Sequence, residues 1–280
     1  MKILVTGGSG YLGTHVRRYF NADDFSRRSN LDILSFSDVE RLADYDVVIH
    51  LAAYMDKSPD GAALSFRTNT EGTRNLVENM RPNSVFIYAS TKDVYGPNAN
   101  DYTGPVPESC STEYVNQSSF EWSKLLGERI VEYYAHQRNV RYCIFRMSAV
   151  YARETSGNDN GFVTHYVESV KHRWPIRLPE GDPVRDILYV DDLARACQQF
   201  IDSSRVSGLY NLGGGPANAE SLREIIQTIG KLIEIDPIIE VDSRIPLPVP
   251  LKYVSDLTRI KDELGWEPTI GIEEGLRYLL

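Results

Sequence analysis

Residues 6–13, TGGSGYLG, decide how this chain folds. They follow the apolar run KILVT (2–6) and space Gly7, Gly10 and Gly13 three apart where a helical pattern begins. Glycines at such a strand-to-helix turn let the chain reverse tightly, let backbone N–H groups approach a pyrophosphate, and let the helix pack close to the sheet. The helix N-terminus then stabilises the negative charge. A glycine triplet alone also fits an ordinary tight turn. Its place at the head of a strand–helix–strand pattern favours a dinucleotide loop, with Gly7, Ser9, Gly10, Tyr11, Leu12 and Gly13 as candidate contacts.

Outward from the loop, DVVIHLA (46–52), SVFIYAS (84–90) and VRYCIFR (140–146) are short apolar runs that read as buried strands. SFRTNTEGTRNLVENM (65–80) and FEWSKLLGERIVEYYAHQ (120–137) place apolar residues at helical spacing. Alternation of this kind predicts a Rossmann-type, doubly wound parallel sheet in an α/β fold. In the second half, ILYVDDLARACQQFIDS (187–203) reads as a strand and a helix, GLYNLGGG (208–215) as a strand and SLREIIQTIGKLI (221–233) as an amphipathic helix. Pro246, Pro248 and Pro250 exclude helix and central strand from their segment, which is expected to be an extended loop. The expected organisation is a dinucleotide-binding domain over 1–155, with 186–212 returning to it. A smaller C-terminal substrate-binding lobe takes 156–185 and 213–280.

The second strand is expected to end near DDFSRRSN (23–30). A carboxylate there would hold a ribose 2′-hydroxyl and repel a 2′-phosphate. Ser26, Arg27 and Arg28 suit the phosphate better, so the cofactor is read as NAD(P) with NADP slightly favoured; a shift in register would put Asp23 or Asp24 in that place instead.

Composition narrows the function. The 280 residues carry a formal charge of -9 and a pI near 5.1, which argues against a nucleic-acid surface while leaving room for an anionic ligand held by a few arginines. Three scattered cysteines without a C-x-x-C pair give no zinc or disulfide framework, so no metal is expected and a reducing cytoplasm is. MKILVTGG enters a strand directly, and no apolar run approaches bilayer length, so export and a membrane partner are not expected.

TGGSGYLG, HLAA (50–53), Asn69 in NTEGTRNL, ASTKDVYG (89–96), an aromatic residue four before Lys124, FRMSAVY (145–151), VRDILYVDDLARA (184–196), YNLGGG (210–215) and DELGWEP (262–268) occur in one order. In that order the chain resembles the extended short-chain dehydrogenase/reductase family, in particular its nucleotide-sugar epimerases and dehydratases. The resemblance implies a nicotinamide that takes hydride from a sugar carbon while a tyrosine phenolate takes the hydroxyl proton. A phenol titrates near 10, so a lysine one helical turn on must favour its charged form. Carried over by residue, Lys124 is that lysine and holds the nicotinamide ribose, and Thr91 binds the substrate hydroxyl. Asp32 and Ile33 lie at the adenine, and Leu51, Ala52, Ala53, Asn69 and Met147 lie along the cofactor. Lys92, Arg185, Asn211 and, more loosely, Arg244 lie at the nucleotide sugar. The family also implies a homodimer through a helix pair, compatible with the stripe Leu125, Ile130, Val131 and Tyr134.

Two positions depart from the family pattern. Phe120 stands at the tyrosine position and has no proton to exchange. An engineered Tyr→Phe change, a binding protein without turnover, or another group acting as base would each explain it; the intact surroundings favour the first. After Thr91, a 4,6-dehydratase carries an Asp-Glu pair, whereas Lys92 and Asp93 stand here, which weakens the dehydratase reading and leaves Asp93 as a candidate base. The expectation is a nucleotide-sugar epimerase acting on a UDP- or CDP-hexose and impaired by Phe120. The alternatives are a 4,6-dehydratase or keto-sugar reductase, and a non-catalytic nucleotide-sugar or NADP-binding protein.

Overall fold

The computed structural model describes residues 1–153 and 161–280. The expected domain boundary at 155–156 lies outside the described residues. Along the first half run β1 (Ile3–Thr6), α1 (Tyr11–Phe20), β2 (Asp23–Phe25), α2 (Phe36–Val39), β3 (Val47–His50), α3 (Ala62–Phe66), α4 (Thr73–Glu78), β4 (Val85–Thr91), α5 (Ser119–Arg138), β5 (Arg141–Met147) and β6 (Ala149–Tyr151). Then follow α6 (Phe162–Lys171), β7 (Ile176–Leu178), β8 (Val184–Tyr189), α7 (Val190–Asp202), β9 (Ser207–Leu212), β10 (Ala219–Ser221), α8 (Leu222–Ile233), β11 (Ile239–Val241), β12 (Lys252–Tyr253), α9 (Thr258–Leu264) and α10 (Ile272–Arg277).

Six strands form one parallel sheet in the order β2-β1-β3-β4-β5-β9. Successive side chains of a strand point to opposite faces, and both faces are buried. Leu4, Val48, Phe86, Tyr88 and Ile144 meet Leu76, Val77, Val131 and Ala135 on one side. Val5, Ile49, Ile87, Cys143 and Phe145 meet Val16, Leu193, Cys197 and Phe200 on the other. That two-sided burial is why the runs read as continuously apolar rather than alternating.

The remaining strands build a smaller unit beside the carboxyl ends of the sheet. β8 lies between β10 and β12, with β6 also on it, and β11 pairs with β7. Segment 186–212 is divided between the two units. β8 belongs to the small sheet, whereas α7 packs on α1 and β9 closes the large sheet beside β5.

The helix expected over 65–80 is interrupted. A π-helical turn, Arg67–Gly72, separates α3 from α4. Thr70 Oγ1 donates to the Phe66 carbonyl and Thr73 Oγ1 to the Asn69 carbonyl at 2.7 Å, a side-chain competition for backbone acceptors that deforms a helix. The stripe expected to pair two subunits is mostly consumed inside this one. Leu125 is buried in a small cluster with Val94, Tyr95 and Tyr253, Val131 is buried in the core against which Ile130 and Tyr134 pack, and Leu126 and Tyr133 stay exposed.

Candidate active site

Two clefts open at the carboxyl ends of the strands, where an open parallel sheet presents its loops. The smaller, about 320 Å³, is lined by Gly7, Ser9 and Gly10 after β1, Ser26, Arg27 and Arg28 after β2, Asp32 and Ile33, and Ala52 and Ala53 after β3. Its floor is shaped by the glycines. Gly7 has φ +67° and sits so close to the Ala52 backbone that an added Cβ would be 3.0 Å away. A Cβ on Gly13 would overlap the Gly7 carbonyl. Gly10 is the N-cap of α1 and offers no capping side chain, which leaves the first N–H groups of the helix to an anion. These residues fit the diphosphate and adenosine half of a dinucleotide.

The register at β2 is resolved. Leu4 pairs with Asp23, Val5 with Asp24 and Thr6 with Phe25, and the Gly7 amide donates to the Phe25 carbonyl at 2.9 Å. Ser26 is therefore the first residue past the strand. Its hydroxyl accepts from Ser9 Oγ at 2.8 Å and donates to Asp24 Oδ2 at 2.9 Å, while Arg28 donates to the Ser9 carbonyl at 2.9 Å. No carboxylate stands at the position itself.

The larger cleft, about 620 Å³, is lined by Thr91, Lys92 and Asp93 at the end of β4, Met147 at the end of β5, Arg185 on β8, and Pro248 and Val249 from the proline loop. Sequence reasoning missed six of its polar lining residues, Asn116, Gln117 and Ser118 before α5 among them. Lys57 arrives from the loop after β3, Glu121 from the first turn of α5, and Ser148 from beyond β5. Glu121 carried a signal, since Ser118-x-x-Glu121 is a capping box in which the Ser118 amide donates to Glu121 Oε2 at 2.6 Å. Lys57 carried none, because nothing in a loop's own sequence states what it faces.

Lys57 joins two carboxylates. Its Nζ lies 2.9 Å from Asp93 Oδ2 and 2.7 Å from Glu121 Oε1, and 5.6 Å from the centroid of the Phe120 ring, over whose face it rests. Lys92 pairs with the other oxygen of Asp93 and lies over the Tyr253 ring at 5.0 Å. Burial works to raise the Asp93 pKa. The charges and hydrogen bonds of Lys92 and Lys57 outweigh it and hold the carboxyl well below the usual carboxylate range.

Phe120 and Lys124 lie one turn apart on α5, both buried. Lys124 Nζ sits 4.1 Å from the centroid of the Tyr88 ring, and burial pushes its pKa down to about 7 against the opposing pull of Glu128. Beneath it, Glu128 is held by Arg146 at 2.7 Å and by Ser90.

Asn69, Tyr11, Leu12, Leu51, Asn211 and Arg244 are placed away from either cleft. Asn69 is buried, its amide bonding the Tyr54 backbone at 2.8 and 2.9 Å and Ser123 Oγ at 2.9 Å, so it ties the loop after β3 to α5. Tyr11 turns its hydroxyl to the Ala152 carbonyl and Thr164, both at 2.8 Å, and Leu12 and Leu51 pack on the core. Asn211 is buried, accepting from Tyr95 at 2.7 Å and donating to the Val106 carbonyl at 2.8 Å. Arg244 is exposed and paired with Asp242 at 2.8 Å. Arg185 reaches the cleft with its guanidinium donating to the carbonyls of Val184, Leu251 and Pro250 at 2.6, 2.9 and 3.1 Å.

A family model described as the NAD dependent epimerase/dehydratase family matches residues 3–213. The chain is 27% identical over 350 residues to CDP-paratose 2-epimerase of Salmonella typhi, covering 100% of this chain and 98% of that protein. It is 26% identical over 344 residues to dTDP-glucose 4,6-dehydratase of Escherichia coli, covering 99% and 91%. UDP-glucuronic acid 4-epimerase of Bacillus cereus, solved in complex with UDP-glucuronic acid and NAD, superposes with a TM-score of 0.81 at 23% identity, covering 100% and 99%.

Proposed function

The chain belongs to the NAD-dependent epimerase/dehydratase family, and on that premise we propose that it is an epimerase of nucleotide-linked hexoses, UDP- or CDP-linked by preference. One observation carries the choice of epimerase over 4,6-dehydratase. Elimination of water needs a carboxylic acid to protonate the leaving hydroxyl and a carboxylate to remove a carbon-bound proton, and directly after Thr91 Asp93 alone offers a carboxyl group, itself bridged to Lys57 and Lys92. Glu121 is committed to Lys57 and to capping α5, and a lysine stands at position 92. Epimerisation asks only that the sugar be oxidised, reoriented or enolised, and reduced again.

Thr91 and Arg185 contact the sugar nucleotide in this reading. Thr91 Oγ1 already accepts from the Asp93 amide at 3.1 Å, so its hydroxyl proton is free to meet a sugar oxygen. Gly7, Ser9, Gly10, Ser26, Arg27, Arg28, Asp32, Ile33, Ala52 and Ala53 hold the dinucleotide, and Lys124 and Met147 meet its nicotinamide end. Bound nicotinamide would supply the acceptor and donor of hydride. Ser26 with Arg27 and Arg28, in place of a carboxylate, supports NADP over NAD. Buried free cysteines at 110, 143 and 197 support a reducing cytoplasm, and the exposed Leu126 and Tyr133 on α5 support a homodimer.

Phe120 at the tyrosine position should make this chain slow. Restoring an acid–base group of this kind is worth about 10²- to 10⁴-fold, so Phe120→Tyr should raise turnover by that factor on one member of a panel of UDP-, CDP-, GDP- and dTDP-hexoses followed by proton NMR. An inverted hexose with no net NAD(P)H change is the expected product. Release of a 4-keto-6-deoxy sugar would make the chain a dehydratase, stoichiometric NADPH consumption a reductase, and silence of both proteins a binding protein.

A further inference from the structure

We propose that Asp93, bridged by Lys57 to Glu121, is the proton acceptor of this chain in place of the absent phenol; the proposal rests on the epimerase reading above. The space over Phe120 is not left to an apolar ring. Lys57 lies across the ring face and draws Asp93 and Glu121 into one bridge, so the carboxylate that the cleft presents beside Thr91 is held by that ammonium and by Lys92. Asp93 is two residues from Thr91, whose hydroxyl receives the Asp93 amide at 3.1 Å. A sugar hydroxyl bound to Thr91 is therefore delivered to the neighbourhood of the Asp93 carboxylate.

The sugar O–H bond breaks and its proton passes to an Asp93 oxygen. A bound nicotinamide would supply the two-electron acceptor for the carbon-bound hydrogen, and would return it as hydride, so that the electron pair left on the sugar oxygen becomes the carbonyl π bond. In the return half Asp93 gives the same proton back to the oxygen. Asp93 touches the reacting oxygen and is catalytic. Lys57 acts through it and is a positioning residue.

Every charge that faces Asp93 bears on its titration. Lys57 comes from the loop after β3, Lys92 from the end of β4, and Arg185, whose charge Asp93 also stabilises, from β8. Glu121 of α5 faces it through Lys57, and Tyr253 of β12 lies under Lys92. Lys92 and Lys57 outweigh burial and hold the Asp93 carboxyl well below the usual carboxylate range. Such a base is weak, so turnover should be slow, and it should persist far below the pH at which a tyrosine-dependent variant stops.

The test uses the full chain and four variants, Asp93→Asn, Lys57→Met, Phe120→Tyr and the Phe120→Tyr/Asp93→Asn double, with ¹³C-NMR titration of the aspartate carboxyl carbons as a readout independent of turnover. Support requires that Asp93→Asn lower native turnover at least 100-fold, and that the double variant recover the Phe120→Tyr rate. Lys57→Met should move the acid limb of kcat/KM and the Asp93 titration upward in pH together. Native-level turnover by Asp93→Asn overturns the proposal. So does a native chain that is silent while Phe120→Tyr is active, an outcome that leaves the epimerase reading standing. Silence of all five proteins refutes that reading, and the proposal with it.

Discussion

Lys124→Met should stabilise the cofactor-free protein, and the gain should fade as pH rises. The lysine is 3% exposed and lies over the Tyr88 ring. Each tenfold loss of proton affinity is worth about 1.4 kcal/mol, so a fall from 10.5 to about 7 sets an upper limit of about 5 kcal/mol on the cost of burying its charge. Contact with the Tyr88 ring returns about 1–2 kcal/mol of this, leaving a net gain of at most roughly 3–4 kcal/mol for an uncharged side chain of similar length. Because burial lowers the folded-state pKa, the native protein binds fewer protons than the unfolded chain between pH 7 and 10.5. Its stability must rise through that window. The penalty is fully present below pH 7 and gone above 10.5, whereas the methionine variant has no such penalty at any pH. Urea unfolding of both proteins at pH 7 and at pH 10 measures the two differences. A variant less stable than the native protein at pH 7, or a gap that stays constant to pH 10, would refute the reasoning.

Three further outcomes follow from other parts of the structure. Glu128→Gln leaves Arg146 buried at 3% exposure without its carboxylate, and a broken buried pair costs about 3–5 kcal/mol; a loss under about 1 kcal/mol in urea unfolding would show that the pair is not the fastening it looks like. Gly13→Ala forces a Cβ into the Gly7 carbonyl, so dinucleotide binding followed by calorimetry should weaken at least tenfold, and unchanged binding would mean that the loop is not the cradle. Replacing Arg27 and Arg28 with alanine removes charge-assisted bonds worth about 1.5–3 kcal/mol each. NADPH affinity should fall about tenfold or more while NADH affinity stays level, and an equal loss of both would place the arginines away from a 2′-phosphate.

What the sequence determined by itself is local. The glycine spacing of residues 6–13, the four apolar runs and the two long helical patterns report elements whose two-residue or 3.6-residue periods are properties of neighbouring positions, and each is found within a residue or so of its expected place except the helix over 65–80, where threonine hydroxyls redirect the ladder. Family order then pointed to Thr91, Asp93, Lys124 and Arg185. Tertiary structure decided which side chains meet. Lys57 reaches Asp93 across 36 positions because β3 and β4 are adjacent in the sheet, and no periodicity of either segment contains that adjacency. Asn211 and Asn69 carry the same polar groups as a ligand contact would need, yet their burial turns those groups to backbone and side-chain partners within the protein. Arg244 spends its charge on Asp242 two residues away. A side chain's type states what it can bind; only the packing of distant segments states what lies within reach of it.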